Sequence, residues 1–329
     1  MLNAILLSLG LAGAAPVDND YHELDLLLET QTPRPFSGVL LLARGDEVIY
    51  AASRSLSSQP SLSPKDSDFL LASISKQITA ALVMLLWDEG RLKLDLPLGH
   101  YLPSLPLAWK DKVRLSQLLS HTSGIRSLRE GLISEPGAQF LYSNDNYQLL
   151  AQVIKAVTGA SYNSLLGRLM RSCGIDISQS VAVDSFFEND ARQLLANTQG
   201  VPVRLQPSAG VVASAQDLVR WNLCLHQGRI LSPRAYQVLT KASAVRKHRW
   251  GNLGYGAGLQ IAETPLGTEY SHSGYFYQPG AVTTLLYYPR QQLSVVILEN
   301  VAWHHRDMAR AFYHHDKVRD WVLEKFSVN

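Results

Sequence analysis

Cysteine is scarce in this chain of 329 residues: only Cys173 and Cys224 occur, with no Cys-x-x-Cys and no histidine spacing suited to caging zinc. Two thiols allow one disulfide, and the sequence leaves their redox state open. Charge is sparse too, at 18% of residues against roughly 25% in ordinary soluble domains. The 30 Lys plus Arg nearly balance the 28 Asp plus Glu, for a formal net charge of +2. No stretch gathers basic residues into a nucleic-acid or polybasic membrane surface. Beyond the first segment, no apolar run approaches the roughly 20 residues of a membrane span. A Gly-x-Ser-x-Gly elbow is missing, which argues against an α/β-hydrolase. Gly254-Tyr255-Gly256-Ala257-Gly258 lacks dinucleotide-binding spacing and leads into a strand instead of a helix. There is no internal repeat and no low-complexity tract.

What is present is apolar: 46% of residues are hydrophobic, enough to bury a large core even across two lobes. Met1 to Ala14 is almost wholly apolar and ends in Ala12-Gly13-Ala14, a small-x-small pattern suited to signal-peptidase cleavage before Ala15, although its n-region has no Lys or Arg. Residues 1–14 are therefore expected to be a signal peptide, and the mature protein a soluble periplasmic or extracellular one without a membrane span.

The grammar of the chain changes twice. Leu24, Leu27 and Leu28 predict a short amphipathic helix within 18–31. Val39-Leu40-Leu41-Leu42 and Val48-Ile49-Tyr50 flank Gly45-Asp46, predicting a hairpin. From about Ser73 to Glu89 a helix apolar nearly all round stops at Gly90. Between 96 and 249 the periodicity is mostly helical, including the Leu149/Val153/Val157 stripe and a helix opened by Ser214-x-x-Asp217. Strands return at 255–262, 267–273, 281–288 and 293–298, and a helix over 304–326 closes the chain. The expected fold is α+β: an antiparallel sheet lobe from 15–95 and 250–329, flanked by helices, with an inserted helical lobe at 96–249.

Ser73-Ile74-Ser75-Lys76 is the only Ser-x-x-Lys in the chain. Residues i and i+3 share a helix face, so hydroxyl and amine are neighbours. A serine alcohol needs a base to become a nucleophile, and a partly buried lysine has the depressed pKa that suits one. This spacing arises about once by chance in a Ser-rich chain of such length; its position at the head of a buried helix adds weight. Tyr142-Ser143-Asn144 precedes a second helix, where a phenol can relay protons and a carboxamide can hold a substrate amide. His272-Ser273-Gly274 closes a strand, and glycine there permits close approach of a ligand. The pairs His304-His305 and His314-His315 lack a third ligand at metal-binding spacing.

Together these motifs, with Phe36-Ser37-Gly38-Val39, Leu119-Ser120-His121-Thr122-Ser123-Gly124-Ile125 and the run from Gly210 to Leu218, resemble the penicillin-recognising serine hydrolases: class C β-lactamases, DD-carboxypeptidases and related esterases and amidases. The resemblance implies Ser73 as acylated nucleophile, Lys76 as its base and Tyr142 as proton relay. It implies Asn144, His272, Ser273 and Gly274 as substrate contacts, with the backbone N–H groups of Ser73 and Tyr275 as oxyanion hole. His272 stands where class C β-lactamases carry Lys, and would face a substrate carboxylate as a partly charged imidazole with an ordinary pKa of about 6.5. The Tyr275 to Gly280 turn is about two residues longer than usual, so its aromatics are expected to reshape the acyl pocket. No acidic residue is assignable as a deacylating base, which leaves Tyr142 or Lys76. The expected substrates are small amides or esters, a peptidoglycan peptide or a β-lactam among them, with no cofactor, metal or nucleic acid. A relaxed esterase and a non-catalytic peptidoglycan- or peptide-binding module are the alternatives; oligomeric state is open.

Overall fold

The computed structural model describes residues 19–56, 61–197 and 200–327; the expected signal peptide, 1–14, lies outside the described residues. Helix α1 (His22–Glu29) leads into β1 (Gly38–Arg44) and β2 (Glu47–Arg54). Gly45 turns this hairpin at φ +60°, a backbone state without steric penalty only for glycine. Six further strands come from the other end of the chain: β3 (Ala244–His248), β4 (Gly251–Tyr255), β5 (Gln260–Thr264), β6 (Gly267–Phe276), β7 (Ala281–Tyr288) and β8 (Leu293–Glu299). They join in one sheet of order β2-β1-β8-β7-β6-β5-β4-β3. First and last strands meet inside it, with β1 antiparallel to β8 from Gly38↔Glu299 to Arg44↔Leu293.

Side chains alternate across a strand, and here both faces are buried. Val39, Leu41, Leu285, Tyr287, Val296 and Leu298 pack toward the helical side, with α2 (Ser75–Asp88), α3 (Asn144–Thr158), α4 (Tyr162–Ser172) and α5 (Ala215–His226). Leu40, Leu42, Leu286, Val295 and Ile297 pack the other way, against Leu24 and Leu28 of α1 and Val318 and Val322 of α6 (Tyr313–Ser327). Cover on both sides explains why these strands read as continuous apolar runs.

Three boundaries differ from expectation. The sheet begins before residue 250: β3 falls on the helical side of the expected 249/250 division, because an edge strand of alternating half-buried and exposed residues carries no apolar signal. The run expected as one strand over 255–262 divides into β4 and β5 around Gly256 and Gly258. The terminal helix, expected from 304, is a short Met308–Ala311 turn followed by α6. Cys173 and Cys224 are joined by a disulfide that ties the end of α4 to α5. Among the described residues, no helix is long and apolar enough to cross a membrane.

Candidate active site

Ser73 sits in the 3-10 turn Ala72–Ile74 that runs into α2. Ala72 is held at φ +46°, a left-handed backbone that costs a non-glycine residue about 1–3 kcal/mol and persists only where its surroundings enforce it. Strand β6 does part of this: a Cβ on Gly274 would lie 2.8 Å from both Ser73 N and Ala72 Cβ. Thr283 Oγ1 also donates to the Leu71 carbonyl (2.9 Å). Only glycine at 274 lets the strand and the Ser73 turn approach this closely. Pairing of β6 with β5 stops at Gln260↔Ser271, while its pairing with β7 continues to Phe276↔Ala281. The stretch holding Ser273, Gly274 and the Tyr275 N–H thus has a strand on one side only.

Two side chains converge on Ser73 Oγ. The Tyr142 hydroxyl donates to it at 2.8 Å, and Lys76 Nζ lies 3.1 Å away. Lys76 Nζ also donates to Asn144 Oδ1 (2.8 Å) and the Ser208 carbonyl (2.7 Å). It is fully buried, and desolvation, followed by the nearby Arg246 charge, pushes its pKa well below the ordinary lysine value. As a neutral amine, Nζ keeps two N–H bonds, to Asn144 and Ser208, and turns its lone pair toward the Ser73 hydroxyl. Burial pushes the Tyr142 phenol up to about 12, against the lowering effects of Arg246 and the Ser73 bond, so it stays protonated and able to donate.

Asn144, expected to meet the substrate amide, spends its oxygen on Lys76; only its Nδ2 side remains for a substrate. A cleft of about 530 Å³ opens over Ser73, lined by Tyr142, Arg246, Lys247, His248, Arg249, Ser273, Tyr275, Met308 and Phe312. A cavity of about 550 Å³ bounded by Phe69, Asn163, Val181 and Val203 contains none of these residues. Tyr275 points its hydroxyl at the Trp303 carbonyl (2.5 Å), and Tyr277 turns to Glu188 O (2.7 Å) and meets Phe187 and His305 edge-to-face. Of the aromatics expected to reshape the acyl pocket, Tyr275 reaches the cleft and Tyr277 does not line it.

His272 requires a correction. It is fully buried and does not line the cleft. One ring nitrogen meets Tyr255 Oη (3.1 Å) and the other the Ser273 carbonyl (2.8 Å). Burial, then Arg246 and Lys76, hold its pKa well below 6.5, so it is neutral at physiological pH and offers no titrating charge to a substrate.

The cations facing the cleft are on β3 and the following turn, and the sequence reading missed them. Arg249 is committed: it donates to Asp316 Oδ1 (2.5 Å) and Ser273 Oγ (3.1 Å) and stacks over Phe312. Arg246 is not. Its guanidinium lies 5.0 Å from the centre of the Tyr142 ring, and its buried Nη1 has no hydrogen-bond partner among the described residues. Because Arg249 fills an acceptor site of Ser273 Oγ, that hydroxyl can aim its proton into the cleft. Behind it, Thr284 Oγ1 lies 3.5 Å from Ser273 Oγ and 2.8 Å from His315 Nδ1, and His315 Nε2 is 2.9 Å from Glu299 Oε1. Glu299 receives a bidentate pair from Arg34, both at 2.7 Å.

A family model described as Beta-lactamase matches residues 30–319. The chain belongs to the Beta-lactamase family. Within this group of penicillin-recognising serine hydrolases, it is 25% identical over 332 residues to Penicillin-binding protein 4* of Bacillus subtilis (strain 168), covering 86% of this chain and 72% of that one. It is 29% identical over 269 residues to Penicillin-binding protein 4 of Amycolatopsis lactamdurans, covering 71% and 64%. The fold matches the D-amino acid amidase of Ochrobactrum anthropi SV3 solved with D-phenylalanine at a TM-score of 0.80, with 20% identity over 94% of this chain and 100% of that one. The α+β Beta-lactamase fold expected from the sequence is therefore the one observed.

Proposed function

We propose that the protein hydrolyses small amides or esters through an acyl-enzyme on Ser73. The observation that carries this is the meeting at Ser73 Oγ of the Tyr142 hydroxyl at 2.8 Å and the buried Lys76 Nζ at 3.1 Å. The Lys76 amine takes the Ser73 proton as Oγ adds to the substrate carbonyl. The resulting oxyanion is received by the Ser73 and Tyr275 N–H groups, and such donors are worth about 10²–10³ in rate each. Tyr142 passes a proton to the departing nitrogen or oxygen as the carbonyl re-forms and regains one from Lys76. Water then repeats the addition, giving a proton to the same amine–phenol pair, and the freed acid leaves Ser73 restored. The convergence of Ser73, Lys76, Tyr142 and Asn144 favours an enzyme over a pure binding module, which has no chemical need for a depressed lysine beside a serine. The disulfide supports work in an oxidising compartment, in line with export.

The test is intact-mass measurement during incubation with nitrophenyl esters, D-alanyl-D-alanine peptides and β-lactams, followed by peptide mapping. A single acyl increment on Ser73 is expected. An adduct on Ser75 or Ser273 with Ser73 unmodified overturns the assignment.

Arg246 and the Ser273 hydroxyl favour substrates carrying an anionic oxygen near the scissile bond, as D-alanyl peptides and β-lactams do. Among the described residues, no carboxylate lines the cleft to receive a substrate ammonium. Arg246→Met should therefore lower kcat/KM for a carboxylate-bearing substrate about 10- to 100-fold relative to a neutral ester, the range of a hydrogen bond to a charged group. The parent's ratio between the two substrates should stay flat from about pH 5.5 to 8, because His272, buried and held well below 6.5, adds no titrating charge there. An unchanged ratio in Arg246→Met removes the anion contact.

A further inference from the structure

His121 belongs to the loop before α3, contributes nothing to the cleft lining, and is fully buried. It is held at φ +57°, which a histidine adopts only when its surroundings enforce it. Its ring packs among Phe140, Tyr147 and Tyr255 as well as Tyr142, and three of its contacts fall on consecutive residues. The His121 carbonyl accepts from the Leu141 N–H (2.7 Å). Its ring lies over Tyr142 with centroids 4.3 Å apart and planes tilted 33°. Its Nδ1 accepts from the Ser143 N–H (3.2 Å), with Asn146 Nδ2 at 3.1 Å. Two donors on Nδ1 require the proton to sit on Nε2, and Nε2 is buried with no hydrogen-bond partner among the described residues. The orphaned N–H follows from the tautomer that the loop demands. Burial, then Lys76, His272 and Arg246, keep the ring's pKa well below 6.5, so no second cation forms beside the Lys76 amine.

We infer that His121 is the positioning residue for Tyr142, holding the phenol on Ser73 Oγ by gripping the backbone on either side of it and packing on its ring. This rests on the reading of Tyr142 as proton donor to the leaving group. With carbonyl, ring face and Nδ1 all engaged, the loop has no slack along the chain, and Tyr142 meets Ser73 at 2.8 Å without other hydrogen bonds to its hydroxyl among those described.

The test is a double-mutant cycle read by the single-turnover acylation rate of Ser73 with an alkyl ester, N-acetyl-D-alanine methyl ester, whose departing alkoxide, unlike a nitrophenolate, must take up a proton. His121→Asn retains tolerance of the left-handed backbone and an acceptor for Ser143 but deletes the ring. His121→Gly deletes both. In folded protein with a native circular dichroism spectrum, Asn should slow acylation about 10-fold and Gly further, with KM changed less than about threefold. In a Tyr142→Phe background the same changes should slow it by less than about twofold more. Near-native rates in both single variants, or full additional losses in the Tyr142→Phe background, overturn the positioning role while leaving the proton-transfer reading standing. Near-native acylation and turnover in Tyr142→Phe alone overturn that reading and this role together.

Discussion

Lys76→Met should lower the single-turnover acylation rate of Ser73 about 10²- to 10⁴-fold, the range over which a positioned general base contributes. The size follows from the surroundings of Nζ. Desolvation and Arg246 depress its pKa, and no carboxylate is among its hydrogen-bond partners. Both features favour the amine over the ammonium, and the amine alone can take a proton. Methionine matches the side chain's length and fills the buried space without a charge, although it leaves Asn144 Oδ1 and the Ser208 carbonyl without a donor. Stability must therefore be measured beside rate: a folded variant with a normal denaturation midpoint and a lost burst isolates the chemistry. A folded Lys76→Met enzyme that acylates at near-native rate would assign the base elsewhere.

The largest effect on stability is expected at Arg34. All five of its N–H donors are engaged, two with the Glu299 carboxylate and the others with the carbonyls of Pro35, Arg310 and Ala311. Both partners of the ion pair are fully buried. Arg34→Met leaves Glu299 charged in the core, with His315 and the Ser37 N–H still beside it, a loss of about 3–5 kcal/mol. In a chain of this size that lowers the melting midpoint by about 4–8 °C. Arg34 and His315 outweigh the desolvation that would raise the Glu299 carboxyl, and its pKa falls to about 2. Since the unfolded carboxyl titrates near 4.5, stability from this group is present above that pH and lost as the pH falls from about 4.5 toward 2. His315, held below its ordinary pKa chiefly by burial, acts in the same direction: below about 6.5 the unfolded chain binds a proton that the folded one refuses. Arg34→Met should flatten the acid limb of the stability profile. A shift in unfolding free energy under about 1 kcal/mol, with the limb unchanged, would show that the pair contributes little.

How much could be read beforehand depended on the range of the interaction. Ser73 and Lys76 are one helical turn apart, so their proximity is written in the spacing, as is the hairpin around Gly45. Tyr142 and Asn144 were recognisable by motif, but that Asn144 spends its oxygen on Lys76 depends on how α3 approaches α2. The charge state of His272 was misread because burial is a tertiary property: the same imidazole would titrate near neutrality on a surface, and here Tyr255 and the Ser273 carbonyl enclose it. Arg246 was invisible because Val245-Arg246-Lys247-His248-Arg249 looks like a solvated polar stretch. Only pairing with β4 places its guanidinium over Tyr142. His121 stands within a recognisable motif, but its clamp on the Tyr142 segment is not legible there, since neither its left-handed backbone nor its ring contact follows from its neighbours in sequence.

The placement of β1 beside β8 also sets an order of events during synthesis. Arg34 and Glu299, which meet at this seam, are 265 positions apart. At about 5–20 residues per second, a ribosome needs on the order of tens of seconds to make the intervening chain. For that interval the apolar β1–β2 hairpin has emerged with an unpaired edge, the kind of surface that recruits other chains. A holding chaperone, or translocation of the chain before folding, would protect it, so soluble yield should respond more to translation rate and to holdase supply than native stability alone would suggest.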